Sequence, residues 1–223
     1  MNTPSRSAQR LGALGVVFGV LYAAAAVLNA SVPSEGASNG QLITYYGSHF
    51  ASMTAFVFLV IAASVVFVFF LGALRRALGV TSESRVLGSI VTAGGAVYVA
   101  ALLLMALLAN ALLDAGHYRA GAAASAINLI AANSWIPLVA GLSAVALGTG
   151  VVALRGGGLP RWLAWASIIL GILAVAGPLG QAALWITPVW SAAIGITLMR
   201  SSGRAPAISS AEPSVVATAP GLS

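Results

Sequence analysis

The sequence predicts an all-α protein, a polytopic membrane bundle of six transmembrane helices. Hydrophobic residues make up 60% of the 223 residues and charged residues 6%, whereas a soluble domain carries about 25% charged residues. Mean hydropathy is +1.00. Several apolar runs match the roughly 20 helical residues that cross a hydrocarbon core, and arginines cluster at the ends of these runs.

Six apolar spans follow a short polar lead, residues 1–10. That lead and the first span resemble a signal peptide, but the run exceeds an h-region of about 7–15 residues, which favours a retained anchor. Residues 201–223, rich in Ser, Ala and Pro, are expected to be a disordered cytoplasmic tail. Residues 11–200 form the transmembrane domain, and its predicted spans are Leu11–Ala30, Phe50–Leu74, Leu87–Leu113, Ile127–Leu154, Trp162–Pro178 and Ala182–Met199.

The last two spans divide one apolar block at Gly177-Pro178-Leu179-Gly180. This pattern excludes one long helix, and the block is just long enough for two minimal crossings. A re-entrant hairpin is the alternative, because it also returns Arg161 and Arg200 to one side of the membrane.

Arginine placement predicts the orientation. Arginine-rich loops stay on the cytoplasmic side, which predicts a membrane protein with both termini in the cytoplasm. Short basic clusters at span ends favour contact with membrane lipids and exclude a nucleic-acid partner. Arg119 lies on the other side, and the nine that share one side are Arg6, Arg10, Arg75, Arg76, Arg85, Arg155, Arg161, Arg200 and Arg204.

Small residues four apart indicate close helix packing. Such pairs occur in the first, fifth and sixth spans, and packing inside one bundle is the expected role. Dimerisation is the alternative. The pairs are Gly15 with Gly19, Ser167 with Gly171, and Ser191 with Gly195.

Three motifs carry a resemblance to a known group. They are Ile43-Thr44-Tyr45-Tyr46-Gly47-Ser48-His49, Phe70-Leu71-Gly72-Ala73-Leu74-Arg75 and Leu159-Pro160-Arg161-Trp162-Leu163-Ala164-Trp165. Over most of residues 10–200 the chain resembles a large group of uncharacterised multi-pass integral membrane proteins of high-GC Gram-positive bacteria. The resemblance implies a multi-pass helical architecture and no particular chemistry. With it, the expected location is the bacterial plasma (inner) membrane.

Several chemistries are excluded or disfavoured by composition. The chain has neither Cys nor Lys, which excludes thiolate ligands and lysine nucleophiles. It also lacks phosphate-loop, metalloprotease and nucleophile-elbow motifs. No ionisable residue lies near the middle of a predicted span, which disfavours proton-coupled transport. No cofactor is predicted.

Polar residues concentrate in the half of the bundle predicted to face outward. Asn110 and Asp114 share a helical face at the end of the third span, Asn133 lies in the fourth, and Gln181 and Trp185 lie near the start of the sixth. These five residues are the candidate ligand-binding residues.

A metal or haem site is a further hypothesis for this region. His49, Asp114 and His117 are the candidate metal ligands. The alternative is that Asp114 and His117 form the polar end of a helix and pair with Arg119. Haem ligation by the two histidines is disfavoured, because both lie at span ends.

Two prolines predict kinks with unbonded carbonyls. Pro137 removes the partner of the Asn133 carbonyl, and Pro188 removes that of Leu184. Such groups are costly in lipid, so we expect them, and the Asn133 side chain, to face the bundle interior or a cavity. Packing alone is the alternative explanation for both kinks.

The leading functional hypothesis is a non-enzymatic membrane component. It would bind a small apolar or amphipathic ligand or a protein partner, either a second copy or another membrane protein. The alternatives are a small-molecule permease with an outward-facing polar cavity and a membrane-embedded enzyme or metal- or haem-binding protein.

Overall fold

A computed structural model describes residues 6–79, 85–156, 158–177 and 179–201. Within these ranges the chain is all α-helical, with no strand. The predictions for residues 1–5 and for the tail beyond Ser201 concern positions outside the described residues. The helices are α1 (Arg6–Asn29), α2 (Asn39–Ser48), α3 (Phe50–Ala77), α4 (Arg85–His117), α5 (Gly121–Ala132), α6 (Trp135–Gly156), α7 (Arg161–Val175) and α8 (Leu179–Ser201).

Six of these helices form an antiparallel bundle. Helix α1 packs between α8 and α3, α4 packs between α3 and α6, and α7 packs against α6 and α8. Five helical segments of the described chain are long and apolar enough to cross a membrane, the fourth being shared by α5 and α6. Helix α7 has 15 residues, about 22 Å at 1.5 Å per residue. The predicted count of six spans is therefore not confirmed.

The described arginine side chains from Arg75 onward gather at one end of the bundle, except Arg119. A Cβ at Gly158 would lie 2.5 Å from the Ala77 carbonyl oxygen, so the turn before α7 contacts the turn after α3. We call this end of the bundle the arginine end. The opposite end, which carries α2 and α5, is the cap end. The arginine end holds Arg75, Arg76, Arg85, Arg155, Arg161 and Arg200.

The predicted small-residue contacts occur inside the bundle. A Cβ on Gly15 would lie 2.6 Å from the Ser191 carbonyl oxygen and 3.1 Å from Gly195 Cα, and one on Gly19 would lie 2.6 Å from the Pro188 carbonyl oxygen. Backbones this close leave no room for a side chain. The α1 and α8 pairs therefore pack against each other.

Helix α7 uses its small pair against two neighbours. The Ser143 hydroxyl of α6 donates to the Gly171 carbonyl at 2.8 Å, and the Trp190 indole N–H of α8 donates to Ser167 Oγ at 2.9 Å. A polar group without a partner is costly in an apolar bundle. Breaking either of these two bonds would leave such a group, so they attach α7 to α6 and α8.

The predicted break after the fifth span is confirmed. Helix α7 ends at Val175 and α8 begins at Leu179. Gly177 has a φ of +62°, a left-handed conformation that glycine adopts without a steric penalty. The chain therefore reverses here and returns α8 towards the arginine end.

The fourth predicted span is wrong as a continuous helix. Helix α5 ends at Ala132 and α6 starts at Trp135. Pro137 lies in the first turn of α6, where a missing N–H costs nothing. The Asn133 carbonyl accepts the Ile136 N–H at 3.2 Å, so Pro137 leaves no free carbonyl there. The Asn133 side chain is exposed and does not face the interior, contrary to the prediction.

Two short helices, α2 and α5, cover the cap end. Helix α2 is started by a capping box between Ser38 and Gln41 and buries Leu42 and Tyr46. It packs on α4 and α5. Together α2 and α5 form a roof over the bundle.

Candidate functional site

A cavity of about 350 Å³ lies beneath this roof. Ligand sites span about 300–1,000 Å³, so this cavity suits a small ligand. Its walls come from α1, α3, α4, α6 and α8, and its roof from α2, α5 and the 31–38 segment.

The deep wall is apolar and includes two methionines. Unbranched thioether side chains adapt to ligands of different shape. An aliphatic or aromatic group is therefore the natural occupant. The larger apolar residues of this wall are Met53, Phe56, Val60, Met105, Leu112 and Leu138.

Asn128 connects the roof to the 31–38 segment. Its side chain is 5% exposed and lines the cavity. Its Nδ2 donates to the Ser34 carbonyl at 3.3 Å. A second bond, 3.0 Å between the hydroxyls of Ser31 and Tyr45, joins the segment to α2. These contacts hold the 31–38 segment over the cavity.

The opening of the cavity is marked by lining residues that are also exposed. Asn29 and Ala30 at the end of α1 and Gln181 and Trp185 on α8 are exposed and line the cavity. Trp185 is 61% exposed. An amphipathic indole at an opening of this kind is typical of a membrane–water interface.

The charge of the cavity comes from one carboxylate. Glu35 lines the opening, and no Arg or His appears among the described lining residues. Tyr46 also lines the cavity, and burial raises the pKa of its hydroxyl to about 12, with a smaller effect of Tyr45. The Tyr46 phenol is therefore neutral at physiological pH.

An aromatic cluster closes the cavity towards the arginine end. Tyr22 lines the cavity and its ring lies 5.7 Å from that of Phe18. Phe67 lies 4.7 Å from Phe18 and 4.9 Å from Tyr98. The Tyr98 hydroxyl is buried near those of Tyr22 and Thr187, and no described group meets it with hydrogen-bond geometry.

The structure brings two of the five predicted ligand-binding residues to the cavity. Gln181 and Trp185 line it, whereas Asn110, Asp114 and Asn133 do not. Helix α4 continues to His117, so Asn110 and Asp114 do share a face, but that face is exposed. Asn133, between α5 and α6, donates from Nδ2 to the Leu129 carbonyl of α5 at 3.0 Å.

The predicted metal ligands do not form a cluster. Among the described residues, no group of three or more His, Cys, Asp or Glu side chains is placed to hold a metal ion. The His49 ring stacks on Tyr45 at 4.3 Å, and its Nδ1 lies 2.9 Å from Ser48 Oγ. His117 packs edge-on against Tyr118.

Two residues that line the cavity, Asn128 and Glu35, were not among the predicted ligand-binding residues. Asn128 carried a usable signal, because an amide in an apolar helix needs a partner. Glu35 carried no such signal, since an acidic residue in a polar connection is ordinary.

Comparisons with protein-family models, curated proteins and solved structures found no match.

Proposed function

We propose that this protein is a non-enzymatic membrane component that binds one small amphipathic ligand in the cap-end cavity. The observation that carries the proposal is a cavity of about 350 Å³ with an apolar deep wall and a polar opening. The hydrophobic effect favours burial of an aliphatic chain against Met53, Phe56 and Met105. Asn128 and Gln181 then offer hydrogen bonds to the ligand's polar group.

The apolar helices are consistent with a membrane protein, and their ends support an orientation. Arginine side chains gather at one end, and such ends stay on the cytoplasmic side. In our proposal the protein lies in the bacterial plasma membrane, with both termini in the cytoplasm and the cap end outside. The exposed Trp185 and Gln181 then border the outer leaflet, from which an amphiphile enters.

Binding is favoured over transport by the packing beneath the cavity. A permease needs a path to the second side of the membrane. Phe18, Phe67 and Tyr98 are fully buried and fill the space between the cavity and the arginine end. A ligand that enters from the cap end therefore meets a closed floor.

Filling the cavity tests the proposal. Ala109 of α4 lines the cavity, and Ala96 of the same helix is exposed. We expect Ala109→Phe to lower binding of monodecanoylglycerol, a neutral single-chain amphiphile, by about tenfold or more, equivalent to about 1.4 kcal/mol, because the ring occupies its site. Ala96→Phe should bind as the unchanged protein does.

Native mass spectrometry of protein released from phosphatidylcholine nanodiscs gives the bound fraction. Circular dichroism confirms that each variant is folded. The proposal is overturned if the unchanged protein carries no amphiphile, or if a folded Ala109→Phe variant retains as much as the Ala96→Phe control.

A further inference from the structure

We propose that the cavity selects by charge and prefers an amphiphile with a cationic head over an anionic one. This inference rests on the proposed function and names its ligand class. The deciding observation is the single carboxylate of Glu35 at an opening that holds no basic side chain among its described residues.

The 31–38 segment holds Glu35 in place. The Ser34 carbonyl accepts hydrogen bonds from Asn128 Nδ2 at 3.3 Å and from the Ala37 N–H at 3.0 Å. Glu35 follows directly and is exposed. These bonds hold the backbone next to Glu35, and the exposed side chain is solvated, so its attraction for a cation is modest.

Two residues that line the cavity carry further acceptor groups. The Asn128 amide uses Nδ2 to hold Ser34, and no described group donates to its Oδ1. Pro188 has no N–H for the Leu184 carbonyl, and Leu184 lines the cavity. Acceptors of this kind favour a head that is positive or that donates hydrogen bonds.

Aromatic side chains add a second attraction for a cation. The face of an aromatic ring attracts cations, quaternary ammonium groups included. Trp135 and Trp185 line the cavity on the side of α6 and α8. The lining aromatics are Tyr22, Tyr46, Phe56, Trp135 and Trp185.

Helix dipoles do not oppose this preference. The carboxyl ends of α1 and α5 reach the cavity at Asn29 and Ala132, and the amino ends of α6 and α8 reach it at Trp135 and Gln181. Carboxyl ends carry partial negative charge and amino ends partial positive charge. The carboxyl end of α2 also reaches the cavity, at Tyr46, so the helix ends do not oppose a cation.

Three amphiphiles with the same ten-carbon chain test the inference. They are decyltrimethylammonium, monodecanoylglycerol and decyl sulfate, each added below its micellar concentration to full-length protein in phosphatidylcholine nanodiscs. Native mass spectrometry gives the bound fraction of each. We expect the cation to bind at least about threefold more tightly than the anion. A difference of this size is typical of a solvated ion pair.

Glu35→Gln should remove most of the advantage that the cation has over decyl sulfate, because the one carboxylate among the described lining residues is lost. Asp114→Asn is the matched control, since it removes the same charge from an exposed site outside the cavity and should change nothing. Equal binding of the three amphiphiles, or an equal effect of both variants, overturns the charge selection and leaves the proposed function standing. If none of the three binds, the proposed function fails as well.

Discussion

Gly15→Leu is expected to separate α1 from α8 and to lower the free energy of unfolding by about 2–3 kcal/mol or more. The new Cβ alone would lie 2.6 Å from the Ser191 carbonyl oxygen and 2.8 Å from Phe70 Cε2. Neither the backbone of α8 nor the buried Phe70 ring can move aside cheaply. The helices must therefore part, and the backbone contact is lost.

Gly72→Leu is the matched control, because nothing lies within 4 Å of a Cβ at Gly72. Leucine suits both helices, so both variants should insert into the membrane. Unfolding in mixed micelles titrated with a denaturing detergent, followed by circular dichroism, gives the two free energies. Equal stability of the two variants would contradict close packing of α1 on α8.

Tyr98→Ala is expected to cost about 3 kcal/mol or more of unfolding free energy. Tyr98 is fully buried, and its ring lies 4.9 Å from that of Phe67 and 6.4 Å from that of Phe18. Truncation leaves a void that these rings cannot fill. It also opens the floor of the cavity.

Tyr98→Phe, in contrast, should not lower the free energy of unfolding. The hydroxyl is buried near those of Tyr22 and Thr187 but meets no described group with hydrogen-bond geometry, and a buried polar group left unpaired costs about 1–3 kcal/mol. We expect the Phe variant to be at least as stable as the unchanged protein. Tyr118, which is 76% exposed, is the control position. Neither Tyr118→Ala nor Tyr118→Phe should change the free energy of unfolding. A clear loss of stability in Tyr98→Phe would show that the hydroxyl is bonded.

Features set by short stretches of sequence could be predicted well. The apolar runs of α1, α3, α4 and α8 depend on composition and length alone. The break at Gly177 follows from local backbone chemistry. Small residues at helical spacing predicted close packing at Gly15 and at Gly195, but not that these two positions meet. Arginine placement predicted which helix ends lie together.

Features that depend on tertiary packing could not be predicted. Helix α2 is 10 residues long, so its two buried side chains give a weak periodic signal. The corner at Asn133 lies in a stretch without glycine, residues 122–140, and Pro137 suggested a kink where the structure has a helix start. Of the proposed site, Gln181 and Trp185 were predicted. The cavity itself arises where alanines of separate helices, such as Ala63 and Ala109, leave space, which no local pattern reveals.

Photolabelling tests the central claim most directly, because it reports where a bound amphiphile lies. The probe is monodecanoylglycerol with a diazirine in its chain, irradiated with the protein in phosphatidylcholine nanodiscs and mapped by peptide mass spectrometry. Phe56 lines the cavity and is 2% exposed, whereas Phe58, two residues on, is 66% exposed on the outer surface of the bundle. We expect saturable labelling at Phe56 and Met105 that unlabelled monodecanoylglycerol displaces, and non-saturable labelling at Phe58. Labelling confined to Phe58 and other exposed residues would contradict a ligand cavity beneath α2 and α5.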